Sequence, residues 1–193
     1  MKSKNIFLIV ILVLIATLDN NSFAQNKKAN DKTEIQNLKR QLAELARTNE
    51  VIAENLKNFD ELDFVVFTNQ EWSRLHESHA KDILVHWPDG SSTTGIERHI
   101  DDLAKMFVYA PDTRIEEHPI KIGSGNITAV MGIMEGTFTE PMPIGDGKFI
   151  DPTNKSFKIS MVTIGLWNTE GVMVEEYLFW DNLTYMKQLG LAN

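Results

Sequence analysis

The sequence of 193 residues contains no cysteine. This absence excludes disulfide bonds, thiolate metal ligands, a cysteine nucleophile and a lipid-modified cysteine. The fold must therefore be stabilised by an ordinary hydrophobic core, whatever compartment the protein occupies.

Basic residues are in deficit, with 19 lysines and arginines against 27 aspartates and glutamates, a net charge of −8. Because nucleic-acid binding depends on neutralising phosphates, an acidic chain without a basic cluster is a poor candidate for it. The sequence also lacks a glycine-rich phosphate loop, a G-x-S-x-G element and an H-E-x-x-H element. We predict no nucleic-acid partner.

Residues 1–24 have the pattern of a secretory signal peptide. Lys2 and Lys4 precede an unbroken apolar run over residues 6–16, and Ser22 and Ala24 supply small residues for a cleavage site. The alternative is an uncleaved membrane anchor, but the apolar run is short for a span of about 20 residues. We therefore predict cleavage after Ala24, a secreted or periplasmic protein, and no stable membrane span after cleavage.

Residues 25–47 form a polar spacer and an N-terminal helical extension, and residues 48–193 form the main domain. From residue 35 to residue 59, apolar side chains and Asn49 recur at spacings of three and four, which is typical of a helix. One interpretation is a coiled coil with Asn49 in its seam, and the other is an amphipathic helix packed on its own domain. We favour the second for residues 49–59, and both remain open for residues 31–47.

The rest of the chain predicts an α+β fold. Residues 60–110 are mainly helical with one strand near residues 82–87, and the helix after Gly95 ends before Pro111. Beyond that point the apolar period becomes two, which predicts antiparallel strands joined by turns. These predicted strands are residues 113–122, 126–138, 156–167 and 172–181. Helices followed by strands indicate helices packed on one face of a sheet.

Five stretches resemble the SnoaL-like polyketide cyclase (ester cyclase) family of the NTF2-like superfamily: HAKDILVHWPDG, YAPDTRIEEHPIKIGSG, MEGTF, MVTIGLW and EEYLFWDNLTYMKQLGL. The most specific is the last, in which Leu-Gly follows the acid Asp181 by eight residues. The resemblance covers residues 50–191. It implies a cone-shaped α+β fold, in which a bent antiparallel sheet wraps around helices and encloses an apolar pocket. It also implies dimerisation through the outer face of the sheet.

The resemblance further implies that Asp181 is a catalytic acid/base group in that pocket. A carboxylate that shares a strand face with Tyr177 and Phe179 loses hydration, which raises its pKa toward a useful range. Family cyclases carry a histidine two residues before this acid, whereas this chain has Phe179. The alternative for Asp181 is purely structural, because an aspartate between a strand and a helix is a common N-cap.

Two histidines could replace the missing one as proton carriers, since imidazole titrates near neutral pH. His86 lies beside Trp87 in a predicted strand, and His118 lies in a strand expected to cross the same sheet. Glu135 is a further carboxylate among apolar residues, which lines the pocket if it points inward and is solvated if it points outward. We predict His86 and His118 as catalytic candidates, with Trp87, Glu135, Tyr177 and Phe179 lining the pocket.

We predict no metal site and no cofactor. His76, His79 and His86 lie close in sequence, and two of them have the spacing of helical metal ligands, but no carboxylate accompanies them in a known motif.

Two functions remain open for this chain. The first is an exported, cofactor-independent cyclase, isomerase or lyase that binds a small hydrophobic carbonyl compound and uses Asp181. The second is a secreted, non-catalytic ligand-binding or dimeric interaction domain with the same pocket. The substitution of Phe179 for histidine favours the second, and the retained Asp181 favours the first.

Overall fold

The computed structural model describes the backbone of residues 2–193 and the side chains of residues 27, 28 and 30–193. The chain divides into two compact units, residues 1–47 and residues 48–193. The predicted signal peptide lies outside the residues whose side chains are described. Within the described part of the chain, no helix combines the length and the apolar composition that a bilayer span requires.

The first unit belongs to a single long helix, α1 (Lys2–Glu61). Apolar side chains of the predicted seam are exposed there, with Leu38, Leu42 and Leu45 at 57%, 69% and 62% of their maximum accessibility. The continuation of α1 into the second unit differs, because Phe59 is 1% exposed and packs in the core. The prediction of an amphipathic helix packed on its own domain is therefore confirmed for residues 49–59.

The second unit contains two further α-helices, a π-helical turn and a 3-10 helix. The π-helical turn continues α1 directly, and the 3-10 helix precedes the first strand. Their bounds are Leu62–Phe67 for the π-helical turn, Trp72–Glu77 for the 3-10 helix, Ile96–Tyr109 for α2 and Asn182–Gln188 for α3.

The described chain contains nine strands, and three of them match the strands predicted over residues 126–138, 156–167 and 172–181. Their bounds are β1 His79–His86, β2 Ser92–Thr94, β3 Arg114–Ile115, β4 Ile120–Ser124, β5 Ile127–Thr137, β6 Met142–Pro143, β7 Phe149–Ile150, β8 Ser156–Trp167 and β9 Met173–Trp180. The strand predicted over residues 113–122 is divided into β3 and β4. Pro119 explains the break, because proline has no N–H to donate to a sheet.

The main sheet has the order β2-β1-β9-β8-β5, with β3 and β4 both paired to β5, and β6 and β7 form a separate hairpin. The pairs within it are antiparallel except β1–β9, which is parallel. The predicted meander is thus confirmed for β5, β8 and β9, and β1 joins it from an earlier part of the chain. The expected α+β arrangement is also confirmed.

Alternation along β9 determines which side chains face the protein interior. Glu176 and Leu178 are buried and Trp180 is partly buried. Between them, Glu175 and Tyr177 are partly exposed and Phe179 is exposed. Helices α1 and α2 cover the buried face, where Phe59 of α1 and Ile100 of α2 pack in the same core as Leu178. Glu175, Tyr177 and Phe179 therefore belong to the outer face of the sheet.

Candidate active site

The inner face of the sheet and the helices enclose a small cavity. The cavity has a volume of about 40 Å³, which is enough for about three water molecules. Most of its wall is apolar, but five polar side chains also line it: Asp63, His79, His99, Thr163 and Glu176.

Three of these polar side chains form one buried cluster. Glu176 comes from β9, His79 from the start of β1 and His99 from α2, and each is at most 4% exposed. The Glu176 Oε2 atom lies 3.3 Å from His99 Nε2 and 3.7 Å from His79 Nε2. Parallel pairing of β1 with β9 brings the first two residues to the same region of the sheet.

Burial and mutual charge determine the ionisation of this cluster. Burial lowers the pKa of His99 to about 4, despite the opposing effect of the Glu176 carboxylate. Burial also acts to raise the pKa of Glu176, but the neighbouring His79 and His99 outweigh it and the net shift is downward. At neutral pH we therefore expect a neutral His99 beside an ionised Glu176.

A second group of polar side chains connects the cavity to the surface. Asp63 lies in the π-helical turn and lines the cavity, and its Oδ2 atom is 2.8 Å from His118 Nε2. The other ring nitrogen of His118 is 2.8 Å from Asp60 Oδ1, and Asp60 also accepts a hydrogen bond from the half-exposed Lys121. His118, which is 1% exposed at its side chain, thus joins a buried carboxylate to one that reaches solvent.

The two carboxylates beside His118 have opposite pKa shifts. Burial raises the pKa of Asp63, and the hydrogen bond from His118 only partly offsets this. Burial of Asp60 acts in the same direction, but Lys121 and His118 lower its pKa overall. For His118, burial alone would lower the pKa, but hydrogen bonds and charge interactions with both carboxylates raise it overall. Both shifts favour a proton held between Asp63 and His118, next to the cavity.

Trp87 and Trp180 stand between this cavity and the surface. Both indoles line the cavity, and both also line a surface groove of about 340 Å³ that includes Arg98 and Asp102. The Trp87 indole donates a hydrogen bond to Thr93, and the Trp180 indole donates one to Asn182. A molecule entering from the groove would have to pass these two rings.

The structure corrects the predicted position of Asp181. Its carboxylate is exposed, accepts hydrogen bonds from the Thr184 backbone N–H and the Thr184 hydroxyl, and caps α3. These hydrogen bonds lower the pKa of Asp181, the reverse of the expected rise. The physical reason is that β9 ends at Trp180, so alternation no longer governs the direction of the next side chain.

His86, Tyr177 and Phe179 also lie away from the cavity, on the outer face of the sheet. The His86 ring stacks on Tyr177 with a centroid distance of 4.1 Å. His86 Nε2 lies 2.8 Å from Glu175 Oε1, which also accepts a hydrogen bond from the Tyr177 hydroxyl. Phe179 is 50% exposed. Both faces of β9 are largely apolar, so the alternation identified the two faces correctly but the pocket was assigned to the wrong one.

Glu135 does not line the cavity either. It lies on the outer face of β5 and pairs with Arg114 and Lys158. The outward alternative for this residue is therefore the correct one, and the two cations lower the pKa of its carboxyl. Among the predicted site residues, only Trp87 lines the cavity directly, and His118 reaches it through Asp63.

Sequence reasoning overlooked Asp63, His99 and Glu176, although each leaves a trace in the pattern. His99 shares the helical face of Ile96, Ile100 and Leu103, where a polar residue is unusual. Glu176 shares a strand face with Leu178 and Trp180 in the same way. Asp63 interrupts an otherwise apolar run from residue 62 to residue 67. A titratable residue on an apolar face was the signal that could have identified all three.

Comparison with known protein families identifies the family of this chain. The family model of the SnoaL-like polyketide cyclase matches residues 59–189, which is more than half of the chain. The chain belongs to the SnoaL-like polyketide cyclase family. The resemblance noted in the sequence is thereby confirmed, and members of this family bind small molecules. The search of curated proteins finds no match.

Solved structures agree with this SnoaL-like assignment at the level of the fold. IdmH from Streptomyces antibioticus is 21% identical, with a TM-score of 0.59 over 70% of this chain and 98% of its own. A SnoaL-like protein from Jannaschia sp. CCS1 is 17% identical, with a TM-score of 0.63 over 73% and 94%. A protein with a ketosteroid isomerase-like fold from Catenulispora acidiphila is 15% identical, with a TM-score of 0.53 over 65% and 87%. The α+β, NTF2-like fold is therefore shown.

Proposed function

We propose that this SnoaL-like protein binds a small, partly apolar carbonyl compound in the interior cavity and catalyses proton transfer on it. The observation that supports this best is Asp63, a carboxyl group that faces the cavity and whose pKa is raised by burial. A carboxylate with this property can remove a proton from carbon next to a carbonyl group near neutral pH. Asp63 thus takes the role that the sequence suggested for Asp181.

His118 supports this role for Asp63 as a positioning residue. Its hydrogen bond to Asp63 Oδ2 fixes one oxygen of the carboxylate. Its second hydrogen bond, to Asp60, provides a route by which a proton can move between the cavity and solvent. The predicted proton-carrying function of His118 is retained in this proposal, with Asp63 as its partner.

The size of the cavity limits the ligand. A cavity volume of about 40 Å³ suits a molecule of a few heavy atoms better than a polycyclic one. A larger ligand would need Trp87 and Trp180 to move apart, which would join the cavity to the surface groove. We therefore favour a short carbonyl compound over a polyketide as the molecule bound.

Export and dimerisation complete the proposal. The basic and apolar pattern of residues 1–24 supports secretion or transfer to the periplasm. An apolar row that crosses the outer face of the sheet supports a homodimer. This row follows the strand register through Ile120, Met131, Val162 and Phe179.

Exchange of carbon-bound hydrogen tests the acid–base proposal without knowledge of the natural substrate. Butanone and acetylacetone are incubated with the protein in D₂O, and loss of the α-proton signals is followed by NMR. We expect the wild-type protein to accelerate exchange and Asp63→Asn to slow it by about a hundredfold or more, as for loss of a general base.

Asp181→Asn is the matched control, because it removes the same charge from the position that the sequence favoured. We expect its exchange rate to stay within about twofold of wild type. A wild-type protein that binds these compounds without accelerating exchange would support the non-catalytic binding function. Equal losses in both variants would contradict the role of Asp63.

A further inference from the structure

We propose that His79, His99 and Glu176 bind a divalent transition-metal ion of the Zn²⁺ or Fe²⁺ class inside the cavity. This inference goes beyond the acid–base proposal, because it concerns other residues and would hold whether or not Asp63 transfers protons. It also revises the sequence-based expectation of no metal site, which had considered His79 only with His76 and His86.

The geometry of the cluster fits an ion held by two imidazoles and a carboxylate. One ligand atom from each of the three residues lies within 4.8 Å of the other two, and the two distances from Glu176 Oε2 are 3.3 Å to His99 Nε2 and 3.7 Å to His79 Nε2. Metal–ligand bonds of about 2.1 Å in tetrahedral geometry place neighbouring ligand atoms roughly 3.4 Å apart. Small side-chain adjustments would therefore suffice to bring all three onto one ion.

The hydrogen bonds of Ser78 determine which nitrogen of His79 carries a proton. The Ser78 hydroxyl donates to the Leu75 carbonyl oxygen at 3.2 Å, so it can only accept from His79 Nδ1, at 2.9 Å. The Nδ1 atom is therefore protonated, and in the neutral ring Nε2 presents a lone pair toward the cluster. A hydrogen bond of this kind to the outer nitrogen is what orients most metal-binding histidines.

Two inner atoms of the cluster lack the partners that buried polar atoms normally have. Among the residues whose side chains are described, four buried side-chain atoms have no hydrogen-bond partner, and two of them, His79 Nε2 and Glu176 Oε2, face each other in this cluster. A third, His99 Nδ1, is the ring nitrogen of His99 that does not face Glu176. Such atoms are costly in a protein interior and call for a specific cause. A lone pair on His79 facing a carboxylate oxygen is repulsive unless a cation lies between them.

A proton on His79 is the simpler alternative, but it fits the distances less well. At 3.7 Å, His79 Nε2 and Glu176 Oε2 are too far apart for a hydrogen bond. A proton would also satisfy only one of the two imidazole contacts with this oxygen. A metal ion can interact with both imidazoles and the carboxylate together, and two histidines with one carboxylate form a ligand set found in zinc and non-haem iron sites.

Three protein ligands leave at least one coordination position for another molecule. Because all three side chains line the cavity, that position would be filled by water or by an oxygen of the bound molecule. An ion there would polarise a carbonyl oxygen as a Lewis acid. The site would thus select ligands that carry a carbonyl or carboxylate oxygen.

Direct metal measurements test this proposal without any activity assay. The full chain is treated with chelator, dialysed and titrated with Zn²⁺ by calorimetry, and the metal content of the dialysed complex is determined by mass spectrometry. We expect a single ion per chain. Glu176→Gln and His99→Gln preserve size and should each lower the affinity by about a hundredfold or more, because loss of even an outer partner costs 10- to 100-fold.

His76→Gln is the matched control, since it removes an exposed histidine whose Nδ1 atom is bonded to a backbone carbonyl, and it should bind Zn²⁺ as wild type does. Asp63→Asn should also retain the ion, which separates this proposal from the acid–base function. Failure of the wild-type chain to bind, or equal affinity in all variants, would overturn the site. If the ligand variants do not fold, X-ray absorption of the Zn²⁺-loaded wild type decides: a shell without two imidazoles overturns it.

Discussion

At the scale of single residues, the site depends on charged groups placed where the surrounding pattern is apolar. Asp63, His99 and Glu176 are each buried, and burial alone would disfavour the ionised form of every one of them. Glu176 stays ionised because two imidazoles face it, whereas Asp63 is drawn toward protonation. Two carboxyl groups in one cavity thus acquire different chemistry from their neighbours alone.

The low pKa of His99 predicts a specific loss of stability in acid. Below pH 6.5 the unfolded chain binds a proton at His99 that the folded metal-free protein does not bind until about pH 4. The free energy of unfolding should therefore fall between these two values, by about 3 kcal/mol in total. Glu176, His79 and Asp102 are the titratable groups that influence this imidazole.

Urea denaturation of chelator-treated protein at a series of pH values measures the effect, with His99→Gln as the comparison. The variant is needed because His118, whose pKa is raised, contributes in the opposite direction, and this contribution is common to both proteins. The difference between wild type and variant should decrease as the pH falls from 6.5 to 4. A difference that is independent of pH would contradict the neutral, buried state of His99.

The sequence allowed part of this site to be predicted and not the rest. Trp87 and His118 were identified because aromatic and imidazole groups stand out in a strand pattern. Asp181 was favoured because it follows a strand of the right composition, but the chain turns at that residue and its carboxylate caps α3. Glu176 was missed because both faces of β9 are apolar, and only packing against α1 and α2 decides which one is buried.

At the scale of secondary structure elements, local patterns predicted most of the strands but not how they meet. β5, β8 and β9 were predicted from alternation and turns, since they are neighbours in both sequence and space. The parallel pairing of β1 with β9 was not predicted, because Tyr177 follows its partner His86 by 91 positions in the chain. The same non-local pairing brings His79 to Glu176, so the site depends on the contact that was hardest to predict.

The cap of α3 gives a prediction at this scale. Asp181 accepts two hydrogen bonds from Thr184, one from the backbone and one from the hydroxyl. We expect Asp181→Ala to lower the melting temperature by roughly 2–4 °C through loss of the cap, and Asp181→Ser to recover most of this. Differential scanning calorimetry measures both. A destabilised serine variant would show that the carboxylate has a role other than capping.

At the scale of the whole molecule, we propose that one face of the sheet holds the site and the other forms the homodimer. The inner face holds the cavity, while the outer face carries the row through Ile120, Met131, Val162 and Phe179. Of these, Ile120 and Phe179 are 55% and 50% exposed. Exposed apolar rows of this kind are typical of interaction surfaces, and the exposed leucines of α1 provide a second candidate surface in the first unit.

Two matched substitutions distinguish these surfaces. If the outer face of the sheet forms the homodimer, Phe179→Glu places a buried, unpaired charge in its centre and should weaken association by roughly a hundredfold or more. Leu42→Glu introduces the same charge at an exposed position of α1, 69% accessible, and should leave the dimer unchanged. Sedimentation equilibrium measures both constants. The opposite result would assign dimerisation to the helix, because a coiled coil through α1 needs Leu42 and makes no use of Phe179.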